Sequence, residues 1–301
     1  MKTNIDCLPC LMRQTLQTAR LCTSSVEVQG KVVKAVAALI SKCDLDTNPP
    51  TLAAQVYSEI ERITGVKDPY AEKKKESNRL ALSVLPLLRE EIENKSNDKG
   101  LKLAMRFAIA GNIIDYGAYQ EFDFVSALQK SRDVDFAIDH TLQLLTAIDN
   151  LPEGSQILYL VDNCGEIVFD ALFIERLFAK GFEITVAVKE GPIINDALVS
   201  DAYTAGLDKY AEIITNGTRY PGTVLEATSE LFLEHYQKAD MIISKGQGNF
   251  EGLSEEKKDI FFLLTVKCVA AAKHMQEITG FEGITLNGAG EMVVYYSPAK
   301  I

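Results

Sequence analysis

The sequence predicts an α/β protein in two parts: an all-helical N-terminal domain over residues 1–150, then a domain over 151–301 built on a mostly parallel sheet covered by helices. Two observations carry this. From residue 8 to about 148 the apolar residues recur at helical spacing, whereas after Leu151-Pro152-Glu153-Gly154 short apolar runs alternate with helical stretches. The length of 301 residues suits two average domains, and 47% hydrophobic residues is enough for a large core.

Leu8, Leu11, Met12, Leu16 and Ala19 open the helical series, and Val28, Val32, Val33, Val36 and Ile40 continue it. Leu52, Val56, Ile60 and Ile63 form the next helix, which Gly65 ends. Asp68 as cap and Pro69 at the first helical position start a long helix that Pro86 should kink or interrupt, since proline donates no N–H and crowds the preceding turn. Asp98 caps a helix carrying Leu101, Leu103, Ala104, Phe107 and Ala108, which runs into Gly111-Asn112, and a last helix spans roughly 131–148. Strands follow at 157–161, 184–188, 212–215, 241–244, 260–266 and 292–296, with helices at 167–179, 223–237 and 269–278 between them.

The formal net charge of −11 repels nucleic acid and anionic lipid, so neither is expected as a partner. Lys73-Lys74-Lys75, flanked by Glu72 and Glu76, reads as the solvated face of a helix. No apolar run approaches a membrane span and the first residues lack an apolar signal segment, which points to the cytoplasm. The six scattered cysteines fit reduced thiols, and three histidines far apart in sequence make a histidine zinc site or a Ser-His-Asp hydrolase awkward. Hydrolytic chemistry here would rest on carboxylates and a hard metal.

In an open parallel sheet, ligands gather beyond the carboxyl ends of the strands. There the sequence places Asp162-Asn163-Cys164-Gly165-Glu166, Lys189-Glu190 followed by Asn195-Asp196, Asn216-Gly217-Thr218, the segment from Lys245 to Glu251, and Lys267-Cys268. Asp162, Asn163 and Asp196 supply the oxygen ligands that Mg²⁺ or Mn²⁺ prefers, although such pairs also serve as turn formers and helix caps. Gly246 and Gly248 would let backbone N–H groups cradle a phosphate that Lys245 neutralises; an ordinary glycine-rich turn is the competing account. The same run half-matches the dinucleotide fingerprint, but Glu251 stands where the third glycine belongs, so metal-assisted phosphate chemistry ranks above NAD binding.

Asp162-Asn163-Cys164-Gly165-Glu166 after a strand, Asn195-Asp196 in the next loop, and Lys245-Gly246-Gln247-Gly248-Asn249-Phe250-Glu251 together resemble the DUF89 family of metal-dependent damage-control phosphatases. Cys7-Leu8-Pro9-Cys10, Asp68-Pro69-Tyr70 and Gly111-Asn112-Ile113-Ile114-Asp115 resemble its prokaryotic CxxC-bearing subfamily, and the match covers nearly the whole chain. The resemblance implies a helical domain on a three-layer αβα Rossmann-like domain, and hydrolysis of phosphate monoesters of small metabolites, sugar phosphates or damaged phosphometabolites. It also implies Asp162, Asn163 and Asp196 as ligands of a divalent cation, Mg²⁺, Mn²⁺, Co²⁺ or Ni²⁺, with Lys245 and Asn249 as phosphate contacts. A carboxyl methyltransferase activity assigned within the wider family leaves a transferase using a nucleotide or S-adenosylmethionine as the alternative, and the incomplete glycine fingerprint argues against it.

Glu166 or Glu251 would orient an attacking water, with direct attack by Asp162 a variant. Asn112 and Asp115 interrupt an apolar helix and can face the cleft if the helices roof the sheet; Lys267 is either a substrate contact or a surface cation. Cys7 and Cys10 have metal-site or dithiol spacing but lack obvious further zinc ligands, and they leave a thiol-centred regulatory protein as a third reading. Asp44-Leu45-Asp46-Thr47 is similar to the aspartyl motif of haloacid-dehalogenase-like phosphatases, but Val32 to Ile40 before it has helical rather than strand spacing, so a helix-ending turn is the better account.

Overall fold

The computed structural model describes residues 1–113, 128, 132–280 and 286–299. Three helices, α1 (Cys7–Cys22), α2 (Val26–Ile40) and α3 (Pro49–Thr64), pack on one another around Leu11, Val32, Val36, Leu52, Val56 and Ile60. Asn48 caps α3 by accepting from the Thr51 N–H, and Pro49-Pro50 take the first helical positions, where their missing donors cost nothing; residues 44–47 are a turn, as expected. Gly65 ends α3 in the left-handed conformation.

The long helix α4 (Ala71–Glu93) starts two residues after the expected proline, with Asp68 accepting from the Tyr70 N–H, and passes through Pro86 without ending. Lys74 is buried and ion-paired to Asp68 at 2.5 Å, so the lysine run is not wholly a solvated face. The cap of α5 (Asn97–Ala110) is Ser96, with Asp98 inside the first turn. Of the helix expected over 131–148, the part from Thr141 onward forms α6 (Thr141–Asn150); before it Ile138–Asp139 forms strand β1, too short to leave a periodic signal.

The remaining elements are β2 (Gln156–Leu160), α7 (Glu166–Phe178), β3 (Glu183–Val188), α8 (Val199–Thr204), β4 (Glu212–Thr215), α9 (Glu230–Lys238), β5 (Met241–Lys245), α10 (Gln247–Leu253), β6 (Ile260–Val266), α11 (Val269–Thr279) and β7 (Glu291–Ser297). The sheet order is β1-β7-β6-β5-β2-β3-β4; β2 to β6 run parallel and β7 pairs antiparallel with β6. Strand alternation separates the two faces: Ile157, Tyr159, Met241 and Ile243 pack with α4, α5 and α7, whereas Leu158, Leu160 and Ile242 pack with α9, α10 and α11. The result is the mixed α/β, mostly parallel architecture that the sequence predicts. The strand order reverses beside β2, with β3 on one side and β5 on the other, and there the loops part to form a cleft.

Candidate active site

The floor of the cleft begins where β2 ends. The Ala197 N–H donates to the Asp162 carbonyl at 2.9 Å, the Cys164 N–H donates to the Asn195 carbonyl at 2.9 Å, and Asn163 and Asp196 form an isolated antiparallel bridge. These bonds clamp two separate loops together and put Asp162, Asn163 and Asp196 in one place. Asn78 of α4 accepts from the Gly165 N–H at 2.6 Å, pinning the turn at a glycine whose φ of 78° a side chain would strain. Ile194, a β-branched residue at φ 43°, precedes the Asn195-Asp196 pair; such backbone strain persists where the surroundings impose it, commonly at functional sites.

Asp162, Asn163 and Asp196 line a cleft of about 300 Å³ together with Asn112, Glu251 and Lys267. Gly248, Cys7, Cys10, Cys268, Gln14 and Gln247 also face it, and Pro49, Pro50 and Ala53 at the start of α3 close it from above. A larger recess, about 660 Å³, opens at the opposite ends of the strands beside Gln156, Glu183 and Glu212, away from the carboxylate loops.

The cleft has an excess of buried negative charge. Burial, and then the neighbouring Glu166 and Asp196 carboxylates, hold Asp162 well above the usual carboxylate range. Burial pushes Asp196 up to about 6, with Lys189 opposing. Lys189 lies 3.5 Å from Asp196 Oδ2 but gives its short hydrogen bond, 2.6 Å, to the Gly222 carbonyl, and Asp196 Oδ2 is left buried without a hydrogen-bond partner. Such an atom is out of place unless something else satisfies it. Two carboxylates and an amide oxygen fit a hard divalent cation, which would neutralise this excess. Among the described residues no three His, Cys, Asp or Glu side chains form a metal cluster.

Lys245 does not face the cleft. It is sealed from solvent, and its three donors go to Glu166 Oε1 at 2.6 Å, Asp170 Oδ1 at 2.7 Å and the Ala108 carbonyl at 2.8 Å. The expectation that it contacts phosphate is therefore corrected: no N–H is left to donate. Glu166, also buried, stands behind the site and accepts from Asn163 Nδ2 at 3.3 Å through Oε2, leaving it no access to an attacking water. Asn249 is likewise structural, donating to the Val161 and Lys245 carbonyls and accepting from the Thr223 hydroxyl. The Gly246 N–H donates to the Leu263 carbonyl and cannot cradle an anion; what Gly246 supplies is space, because a Cβ there would lie 2.0 Å from Asp162 Oδ2.

Lys267, unlike Lys245, lines the cleft. Its ammonium donates to the carbonyl and side-chain oxygens of Asn112, whose Nδ2 reaches Asp162 Oδ2 at 3.4 Å. Burial pushes Glu251 up to about 7, and it accepts from Gln247 Nε2 at 2.7 Å. Asp115 lies outside the described residues. Sequence reasoning misses Asp170, although it stands four residues after Glu166 with only apolar residues on either side from 167 to 174; Gln247 and Lys189 it places at the strand ends without assigning either a role.

Below the cleft, α10 meets the 221–223 segment backbone to backbone. Cβ atoms added at Gly222, Gly248 and Gly252 would lie 2.2, 2.5 and 1.9 Å from the carbonyl oxygens of Gly248, Pro221 and Thr223 respectively.

No helix among the described residues is long and apolar enough to cross a membrane. A damage-control phosphatase of Pyrococcus horikoshii is 34% identical over 280 residues, 92% of this chain and 95% of that protein. One from Archaeoglobus fulgidus is 33% identical over 281 residues, 91% and 95% of the two chains. The crystal structure of a DUF89 family protein from Pyrococcus horikoshii superposes with a TM-score of 0.88 at 32% identity, covering 99% of both chains. The family described as damage-control phosphatase ARMT1-like domain matches residues 3–281, and the chain belongs to this phosphatase family.

Proposed function

We propose that this phosphatase hydrolyses phosphate monoesters of small metabolites, sugar phosphates or damaged phosphometabolites, with a divalent cation held by Asp162, Asn163 and Asp196. The observation that carries the reading is the pair of buried carboxylates whose charge nothing in the cleft fully offsets, with Asp196 Oδ2 lacking a hydrogen bond. When bound, the cation would polarise a phosphoryl oxygen and lower the pKa of a water for in-line attack. Which of Mg²⁺, Mn²⁺, Co²⁺ or Ni²⁺ serves is decided by supply as well as by the site.

The side chains have separate tasks. Asn163 is oriented by its amide N–H contacts to Asp162 and Glu166, which turn its oxygen toward the cleft. Lys267, held by Asn112, offers the charge that binds the phosphate. Glu251 presents its carboxyl to the remainder of the substrate, oriented by Gln247, whose amide donates to Glu251 and Cys268 Sγ and accepts from the Lys267 N–H. In this reading residues 151–301 carry the metal and phosphate groups, while residues 1–150 close the cleft and select among substrates. A volume of about 300 Å³ favours a compact metabolite over a polymer.

The test is hydrolysis of p-nitrophenyl phosphate by purified protein. Turnover should vanish in EDTA and return with Mg²⁺ or Mn²⁺, and undiminished turnover in chelator would remove the cation from the reaction.

A further inference from the structure

Metal-assisted hydrolysis has no use for a thiol, yet both cysteines of Cys7-Leu8-Pro9-Cys10 line the same cleft as the carboxylates. They are the first and fourth residues of α1, and both are half-buried, in contact with solvent. Side chains three apart on a helix have Cβ atoms about 5–6 Å apart. A disulfide requires about 3.5–4.5 Å, so a small adjustment of the first turn joins them. Cys10 Sγ accepts from Gln14 Nε2 at 3.4 Å and from the Arg13 guanidinium at 3.8 Å, which places two donors, one of them cationic, at one sulfur. Burial pushes the Cys7 thiol up to about 11, which keeps it protonated.

We propose that Cys7 and Cys10 are a redox-modifiable dithiol in the wall of the phosphate cleft, with low-molecular-weight disulfides as the reagent class. The Cys10 thiolate attacks the reagent's S–S bond, forming a mixed disulfide and expelling one reagent thiolate. Cys7 then attacks Cys10 Sγ; its proton passes to the second departing thiolate, and a Cys7–Cys10 disulfide remains. The dithiol is oxidised by two electrons and the reagent is reduced to two thiols. While it persists, the mixed disulfide projects into a cleft of about 300 Å³ and excludes substrate.

The experiment uses the intact protein, oxidised glutathione, iodoacetamide mapping and intact mass, and it needs neither bound metal nor turnover. It therefore stands or falls separately from the phosphatase reading. Wild type should become lighter by two hydrogens, with Cys7 and Cys10 protected from alkylation and both released by dithiothreitol. Cys7→Ser should accumulate one glutathione on Cys10. Native protein in which Cys7 and Cys10 stay alkylatable, or in which oxidation falls on Cys22, Cys43, Cys164 or Cys268 instead, overturns the proposal. Should Cys7→Ser fold poorly, mapping of the wild-type protein by itself separates these outcomes.

Discussion

The Lys245 ammonium lies 2.6 Å from Oε1 of Glu166, with both side chains sealed from solvent, and Asp170 completes the cluster at 2.7 Å. Burial disfavours the charge on Lys245, but the two carboxylates outweigh it and raise its pKa. Removing the one cation leaves two buried carboxylates unpaired. Lys245→Met should therefore destabilise the protein by about 3–5 kcal/mol in urea denaturation. Adding Glu166→Gln and Asp170→Asn should recover most of that loss. A lysine that served only to bind phosphate would show the reverse pattern, normal stability with impaired kcat/KM.

Asp162 connects metal affinity to stability. Its folded pKa lies above the usual carboxylate range, so its ionisation is more costly in the fold than in the unfolded chain, and stability falls as pH rises through that interval. Asp162→Asn should raise the Tm of EDTA-treated protein at neutral pH. Wild type should gain about 2.7 kcal/mol at metal concentrations a hundredfold above Kd, and the variant almost nothing. Calorimetry with and without Mn²⁺ reads both effects.

Glu251, pushed up to about 7, is neutral below that pH and anionic above it. The anion faces a phosphate dianion in the same cleft, so KM should rise a few-fold as pH climbs through 7, with solvent at this half-buried group screening part of the repulsion. Glu251→Gln should flatten the KM profile. A KM–pH curve unchanged by this substitution would place Glu251 outside the substrate's reach.

Gly246 combines a φ of 79° with contact against Asp162. Gly246→Ala should cost at least about 1–2 kcal/mol from the backbone alone and weaken metal binding as Asp162 is displaced. Isothermal titration with Mn²⁺ together with a urea melt checks both.

Much of this is legible in the residues. The runs at 184–188, 212–215 and 260–266 are strands, and the loops after β2 and β3 bring Asp162, Asn163 and Asp196 together as the strand-end rule anticipates. The same rule misplaces Lys245, because it sets every residue at a strand end on the crest of the sheet. Strand alternation is the signal that corrects it: Lys245 shares parity with Met241 and Ile243, which pack on the side of α7, where Glu166 and Asp170 are one turn apart. Strand β1 is illegible because two residues carry no period, and it exists only through pairing with β7. The position of the cysteines in the cleft wall depends on how α1 and α3 sit over the sheet, which no local pattern encodes.

The three glycine contacts between α10 and the 221–223 segment leave no side chain to give way, and the Gly222 carbonyl also receives Lys189, the partner of Asp196. The floor of the cleft is thus a rigid casting in which a substitution propagates directly to the carboxylates. The roof is made of side chains from α1 and the start of α3, outside the loops that carry the carboxylates. Divergence in substrate choice among relatives should concentrate there, and libraries meant to retarget the enzyme have most room at half-buried Gln14, whereas Leu11 and Ala53 belong to the core of the three helices.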